Sequence, residues 1–117
     1  MTNQADFQDI FDVVASWYMD ALDTDKVELK EGNGPFTSSF MDAMAWDGRL
    51  KHVVIEFRDN KPGKGVKWNK IYAFPCDKTV WEEMLSAAES GESAGKLYHK
   101  YLRNGPQMHI GFRKVRK

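Results

Sequence analysis

Cysteine occurs once in the 117 residues, at Cys76. An intramolecular disulfide is therefore excluded, and the usage fits a reducing compartment. No apolar run approaches the roughly 18 residues of a membrane-spanning helix. The opening stretch MTNQADFQDIFDVV is acidic and lacks the basic start of a secretory leader. A cytoplasmic protein without membrane contact is the expectation. His52, His99 and His109 stand in no His-Glu-x-x-His pattern, and no Cys-x-x-Cys occurs. Metal-ligand spacing is thus missing. Ser38, Ser39, Ser90 and Ser93 lack the glycine bracket of a nucleophile elbow. A nucleophilic Cys76 would need a nearby cation or base; placed after Pro75, it reads as a structural thiol. Ser93-Ala94-Gly95 is too short for a phosphate loop. No catalytic residue, metal or cofactor is expected, and the chain reads as a binding protein rather than an enzyme.

What the sequence has is a strong internal polarity of charge. The net charge is zero. Residues 1–47 nevertheless hold two basic and ten acidic groups, and residues 48–117 hold fifteen basic and seven acidic ones. From Ala94 onward there are seven basic residues and no acidic one. Such asymmetry suggests a basic surface suited to phosphates. The alternative is that acidic and basic halves pack together and their fields cancel. Aromatics make up 13% of the chain, with four Trp, so anchors for a core or an interface are plentiful.

The length suits one domain, residues 1–117. Over 5–23, Phe7, Ile10, Phe11, Val14, Trp17, Tyr18 and Leu22 recur at helical spacing, which predicts an appended amphipathic helix. Gly32-Asn33-Gly34-Pro35 breaks the chain. A strand is expected from Phe36 to Trp46, and Asp47-Gly48 signals a hairpin. Val53, Ile55 and Phe57 alternate with Val54, Glu56 and Arg58, the pattern of a half-buried strand. Asp59 to Gly65 reads as an exposed loop. Val66, Trp68, Tyr72 and Phe74 recur at period two, and Pro75 ends that strand. Helices are expected near 79–89 and 95–103. Thr79 and Glu82 offer a capping box for the first, with Asp77 the competing N-cap. Asn104-Gly105-Pro106 stops the second. Met108, Ile110 and Phe112 mark a last strand. The fold class is therefore α+β, with helices covering an antiparallel sheet of three or four strands. Trp46, Val53, Ile55, Phe57, Tyr72, Phe74, Trp81, Leu85, Leu97 and Leu102 are the expected core.

Residues Ser38 to Arg103 resemble the KTSC domain, a module of some lysyl-tRNA synthetase C-termini and of small bacterial and phage proteins. The matching features are Ser38-Ser39, Trp46-Asp47, the apolar strand Val53 to Phe57, and Tyr72-Ala73-Phe74-Pro75. Val80-Trp81, Leu85 to Ala88, and Ser93-Ala94-Gly95 with the helix ending Leu102-Arg103 complete them. The resemblance implies an α+β core over 36–115 and, as a suggestion for the family, RNA binding.

Three function classes follow. The first is nucleic-acid contact. Lys61, Lys64, Lys67, Trp68, Lys70 and Tyr72 lie in one hairpin, where lysines meet phosphates and a ring stacks on a base. Lys96, Lys100 and Arg103 share a helix face at i, i+4 and i+7, and Arg113 and Lys114 lead a basic tail ending in Arg116 and Lys117. Either set can equally be a solvated face, and Trp68 and Tyr72 can equally be core. The second class is an inhibitor or adaptor that binds a partner protein through the acidic helix, with Asp9, Asp12 and Asp20 as contacts. The third is sequestration of a small phosphorylated ligand in a basic pocket. The surplus apolar surface of the first helix also suggests a homodimer.

Overall fold

The computed structural model describes residues 26–59 and 66–115. The helix expected over 5–23, with Asp9, Asp12 and Asp20 and the homodimer contact expected of it, lies outside them. So do Lys61, Lys64, Arg116 and Lys117.

Five strands form one antiparallel sheet in chain order: β1 Lys26–Glu28, β2 Met41–Asp47, β3 His52–Phe57, β4 Lys67–Pro75 and β5 Met108–Val115. Between β4 and β5 come α1, Lys78–Ser90, the short turn α2, Ala94–Leu97, and a π-helical segment, Tyr98–Leu102. The α+β class holds, with five strands where three or four were expected. The extra one is β1, which precedes the Gly-Asn-Gly-Pro break and pairs with β2 from Lys26↔Ala45 to Glu28↔Ala43.

Local chemistry sets most boundaries. β2 begins at Met41, later than expected. Phe36 has φ 56°, which is not strand geometry. The Ser38 hydroxyl then accepts hydrogen bonds from the Phe40 and Met41 amides at 3.3 and 3.0 Å. The Asp47-Gly48 hairpin forms, and the Asp47 carboxylate accepts the Arg49 amide at 3.0 Å. Asp77 takes the N-cap position of α1, so the Thr79–Glu82 box does not form there. Gly91 ends α1 in the left-handed conformation at φ 85°, where its lack of a Cβ removes the steric penalty. The expected helix over 95–103 is instead one α turn followed by a π segment, closed by the Arg103 amide on the Tyr98 carbonyl at 2.9 Å. Gly95 lets this segment approach the sheet closely: a Cβ there would stand 2.6 Å from Phe40 Cε1.

The first face of the sheet packs under the helices. Met41, Met44, Trp46, Val53, Ile55 and Phe74 join Trp81, Met84, Ala88, Ala94 and Leu102 in one core. Phe57, Tyr72, Leu85 and Leu97 are partly buried against it. The second face holds three alanines, Ala43, Ala45 and Ala73, with Val54 and Ile71, and Ile110 against them and no residue of either helix. β3 is therefore buried on both faces, because Val54 and Glu56 are as enclosed as Val53 and Ile55. The expected half-buried alternation does not describe it. Lys26 and Glu28 of β1 line the same cleft as Arg113 and Val115 of β5. In a flat sheet these edge strands would stand about 19 Å apart. The sheet thus coils toward its second face, which small side chains permit.

Two irregularities place polar groups. Asp42 is extra in the β2–β3 register, and Ile110 is extra in the β4–β5 register. A bulge re-aims the residue it inserts. The Asp42 carboxylate reaches Arg58 Nε at 2.7 Å and Asn69 Nδ2 at 2.6 Å. Asn69 Nδ2 also donates to Glu56 at 2.7 Å, and Glu56 accepts Arg113 Nε at 2.9 Å. A chain of polar groups, Arg58–Asp42–Asn69–Glu56–Arg113, so crosses four elements beneath the second face.

Candidate nucleic-acid interface

Alternation along β4 sorts the hairpin residues. Trp68, Lys70 and Tyr72 fall on the helix-bearing face with Phe74, while Lys67 shares the second face with Asn69 and Ile71. The register with β5 then builds three cross-strand pairs on the first face: Trp68 with Lys114, Lys70 with Phe112, and Tyr72 with His109. Each pair supplies at least one ring. Lys114 Nζ lies 5.5 Å from the centre of the Trp68 ring, within cation–π range. Tyr72 and His109 stack with centroids 4.8 Å apart, and His109 meets Phe112 edge-on at 4.6 Å.

This patch continues into the core. Tyr72 contacts Phe57 at 5.9 Å, and Phe57 contacts Tyr98 at 5.3 Å. Phe40 adds Tyr98 at 5.7 Å and His99 at 5.4 Å. Trp68, Lys70, Phe112 and Lys114 stand apart from the helix-covered core, at the Lys67 end of β4. Trp68, Tyr72 and Phe112 are half-buried, and Lys70, His109 and Lys114 are exposed.

The helical basic set joins in part. Burial raises the Tyr98 pKa, the positive charge of Arg103 opposes that, and Tyr72 adds to it. The Arg103 amide bonds the Tyr98 carbonyl at 2.9 Å. Arg103 therefore borders the aromatic patch. Lys100 sits over the Tyr101 ring at 4.9 Å. Lys96 is exposed on α2. The π segment adds a residue to its turn, which breaks the i, i+4, i+7 stripe expected for Lys96, Lys100 and Arg103.

Lys67 and Arg113 leave the expected site. Both point to the second face, and Arg113 bonds Glu56 there. That separation was readable, since Lys67 and Lys70 are three apart on a strand and must oppose each other. His109 and Phe112 were missed. They reach one face only because Ile110 is bulged, and period-two reading assigns them to opposite faces.

Cys76 is not a reactive group. It is 7% exposed, and its thiol contacts the Asp77 carbonyl at 3.4 Å. Burial chiefly, and the Asp77 charge next, push its pKa up to about 11, against a lowering hydrogen bond from the Trp81 amide. The folded state thus disfavours the thiolate. Above the ordinary thiol pKa the unfolded chain ionises first, so this group costs stability as pH rises from 9 toward 11. Native protein is expected to resist iodoacetamide at pH 8, and urea-unfolded protein to be alkylated within minutes; intact mass spectrometry reads both. Equal rates would contradict the buried thiol. Among the described residues, no three His, Cys, Asp or Glu side chains gather into a metal-binding group. No helix among them is long and apolar enough to cross a membrane.

The fold and patch define a coiled antiparallel sheet with helices on one face and an aromatic, basic strip at the margin of that cover. No family model matches the chain, and no curated protein or solved structure matches it.

Proposed function

We propose that the protein is a non-enzymatic binding module that holds single-stranded nucleic acid on the strip formed by β4 and β5. The carrying observation is the three consecutive cross-strand pairs, in which Trp68, Phe112, Tyr72 and His109 alternate with Lys70 and Lys114 on one face. Same-face positions repeat at about 6.8 Å along a strand, a step that suits successive unstacked bases. Rings accept bases of any sequence, and lysines neutralise the backbone between them. Arg103, beside Tyr98, extends the basic border. The proposal takes in a KTSC-like core over 36–115, the amphipathic helix over 5–23 and a cytoplasmic setting.

Binding of a fluorescent 20-nucleotide single-stranded RNA, titrated at several salt concentrations, tests this. Affinity should fall steeply with salt, and Lys70→Glu should flatten the slope by about one unit. Trp68→Ala should weaken single-stranded binding by about 1–3 kcal/mol and leave duplex binding little changed. Lys67→Glu, a charge reversal of the same size on the other face, should have little effect. Equal losses in Lys67→Glu and Lys70→Glu would defeat the proposed face, as would the absence of binding at low salt.

A further inference from the structure

The coiled second face holds a cleft of about 410 Å³ between the two edge strands. Its walls carry Lys26 and Glu28 from β1, Lys30 just beyond, Asp42 and Glu56 from the sheet floor, and Arg113 and Lys114 from β5. The acidic groups of the floor are already engaged. Asp42 Oδ1 takes Arg58 Nε and Nη2, both at 2.7 Å, and its Oδ2 takes Asn69. Glu56 Oε1 takes Arg113 Nε and its Oε2 takes Asn69. Asn69 thereby spends both amide hydrogens on the two carboxylates. The donor left over is Arg113 Nη2, which is buried and has no hydrogen-bond partner.

A buried donor without an acceptor is uncommon and costs free energy comparable to a lost hydrogen bond. Here it belongs to a guanidinium whose Nε is fixed on Glu56, so its remaining nitrogens are held in one orientation. Lys26 and Lys30 add two ammonium groups to the same walls, and Glu28 offsets one of them from the same face of β1. Since Asp42 is compensated by Arg58 from outside the cleft, the uncommitted charge within it is positive. We propose that this cleft binds a small phosphorylated molecule, its phosphate received by the solvent-facing part of the Arg113 guanidinium, whose side chain is 26% exposed, with Lys26 and Lys30. Phosphate supplies several acceptor oxygens and up to two negative charges, which fits a fixed guanidinium and two ammonium point charges. The volume lies in the range of small-molecule sites and exceeds what phosphate alone would fill. This site opens on the second face and shares Lys114 with the nucleic-acid strip, so its test uses residues outside that strip.

The test is calorimetric titration of the full chain with inorganic phosphate, uridine 5′-monophosphate and uridine. Saturable binding of the monophosphate without binding of uridine is expected. Saturable binding of inorganic phosphate as well would assign recognition to the phosphate alone; binding of the monophosphate only would assign part of it to the attached group. The Lys26→Ala/Lys30→Ala double variant, two exposed or half-exposed lysines outside the polar chain, should fold normally and bind at least about tenfold more weakly. Arg113→Gln should weaken binding further, with thermal unfolding of the variant checked in parallel. Lys70→Glu should leave this binding unchanged. The proposal is overturned if neither phosphate compound saturates at millimolar concentration, if uridine binds as well as its monophosphate, or if Lys70→Glu rather than the double variant removes binding.

Discussion

Asn69→Asp is expected to destabilise the domain by at least about 3 kcal/mol, from a change of one amide to a carboxylate. Asn69 is 1% exposed. Its Nδ2 sits 2.6 Å from an Asp42 oxygen and 2.7 Å from a Glu56 oxygen. The substitution replaces two donated hydrogen bonds by a third negative charge between the buried Glu56 and the half-buried Asp42 carboxylates. The Asn69 carbonyl oxygen, which accepts the Asp59 amide at 2.9 Å, has its counterpart in either residue, so that bond does not explain the loss. Urea unfolding followed by tryptophan fluorescence should show a lower midpoint with an unchanged slope. The deficit against the native chain should shrink on acidification from pH 7 toward pH 4, because protonating the introduced carboxyl removes the added charge and returns a donor to the site. A pH-independent deficit would mean that packing, not charge, governs the position.

Phe74→Ala is expected to cost about 3–5 kcal/mol, the range for emptying a buried aromatic site. Phe74 is fully buried, and its ring is bounded by Phe57 at 6.1 Å, Tyr98 at 5.5 Å and Tyr72 at 6.3 Å. A loss of that size should lower the thermal midpoint by roughly 10–20 °C in a domain of this length. The cavity would also free Tyr72, a member of the proposed strip, and Tyr98 beside it. Nucleic-acid affinity should therefore fall with stability in Phe74→Ala, whereas Trp68→Ala should lose affinity at a near-native midpoint. Scanning calorimetry beside the RNA titration separates the two. A Trp68→Ala protein that melts as early as Phe74→Ala would make Trp68 a core residue and remove it from the strip.

The expected core shows where residue patterns carry through to the fold. Trp46, Val53, Ile55, Phe74, Trp81 and Leu102 are buried, and Phe57, Tyr72, Leu85 and Leu97 pack partly against them. Apolar period and bulk sufficed for these because each lies in an element whose own pattern is regular. Glu56 and Asn69 were invisible as core. A carboxylate and an amide enter the interior only when their hydrogen bonds are completed, and their partners Asp42 and Arg113 come from other strands. The site divided in the same way. Trp68, Lys70 and Tyr72 share a face by simple alternation within β4. Lys114 joined them through strand pairing, and His109 and Phe112 joined through a bulge.

The sequence by itself determined the α+β class, the Asp47-Gly48 hairpin, the helix near 79–89 and the stop before Pro106. Each depends on residues a few positions apart, where backbone preference and side-chain period act directly. Only the tertiary structure decided that β1 adds a fifth strand, that β5 returns past three helical segments to pair with β4, and that bulges at Asp42 and Ile110 shift the register. It also decided that Arg113, expected at phosphate, bonds Glu56 fifty-seven residues away. Such pairings depend on which distant groups can complete one another's hydrogen bonds and fill a common space, and local pattern does not hold that information.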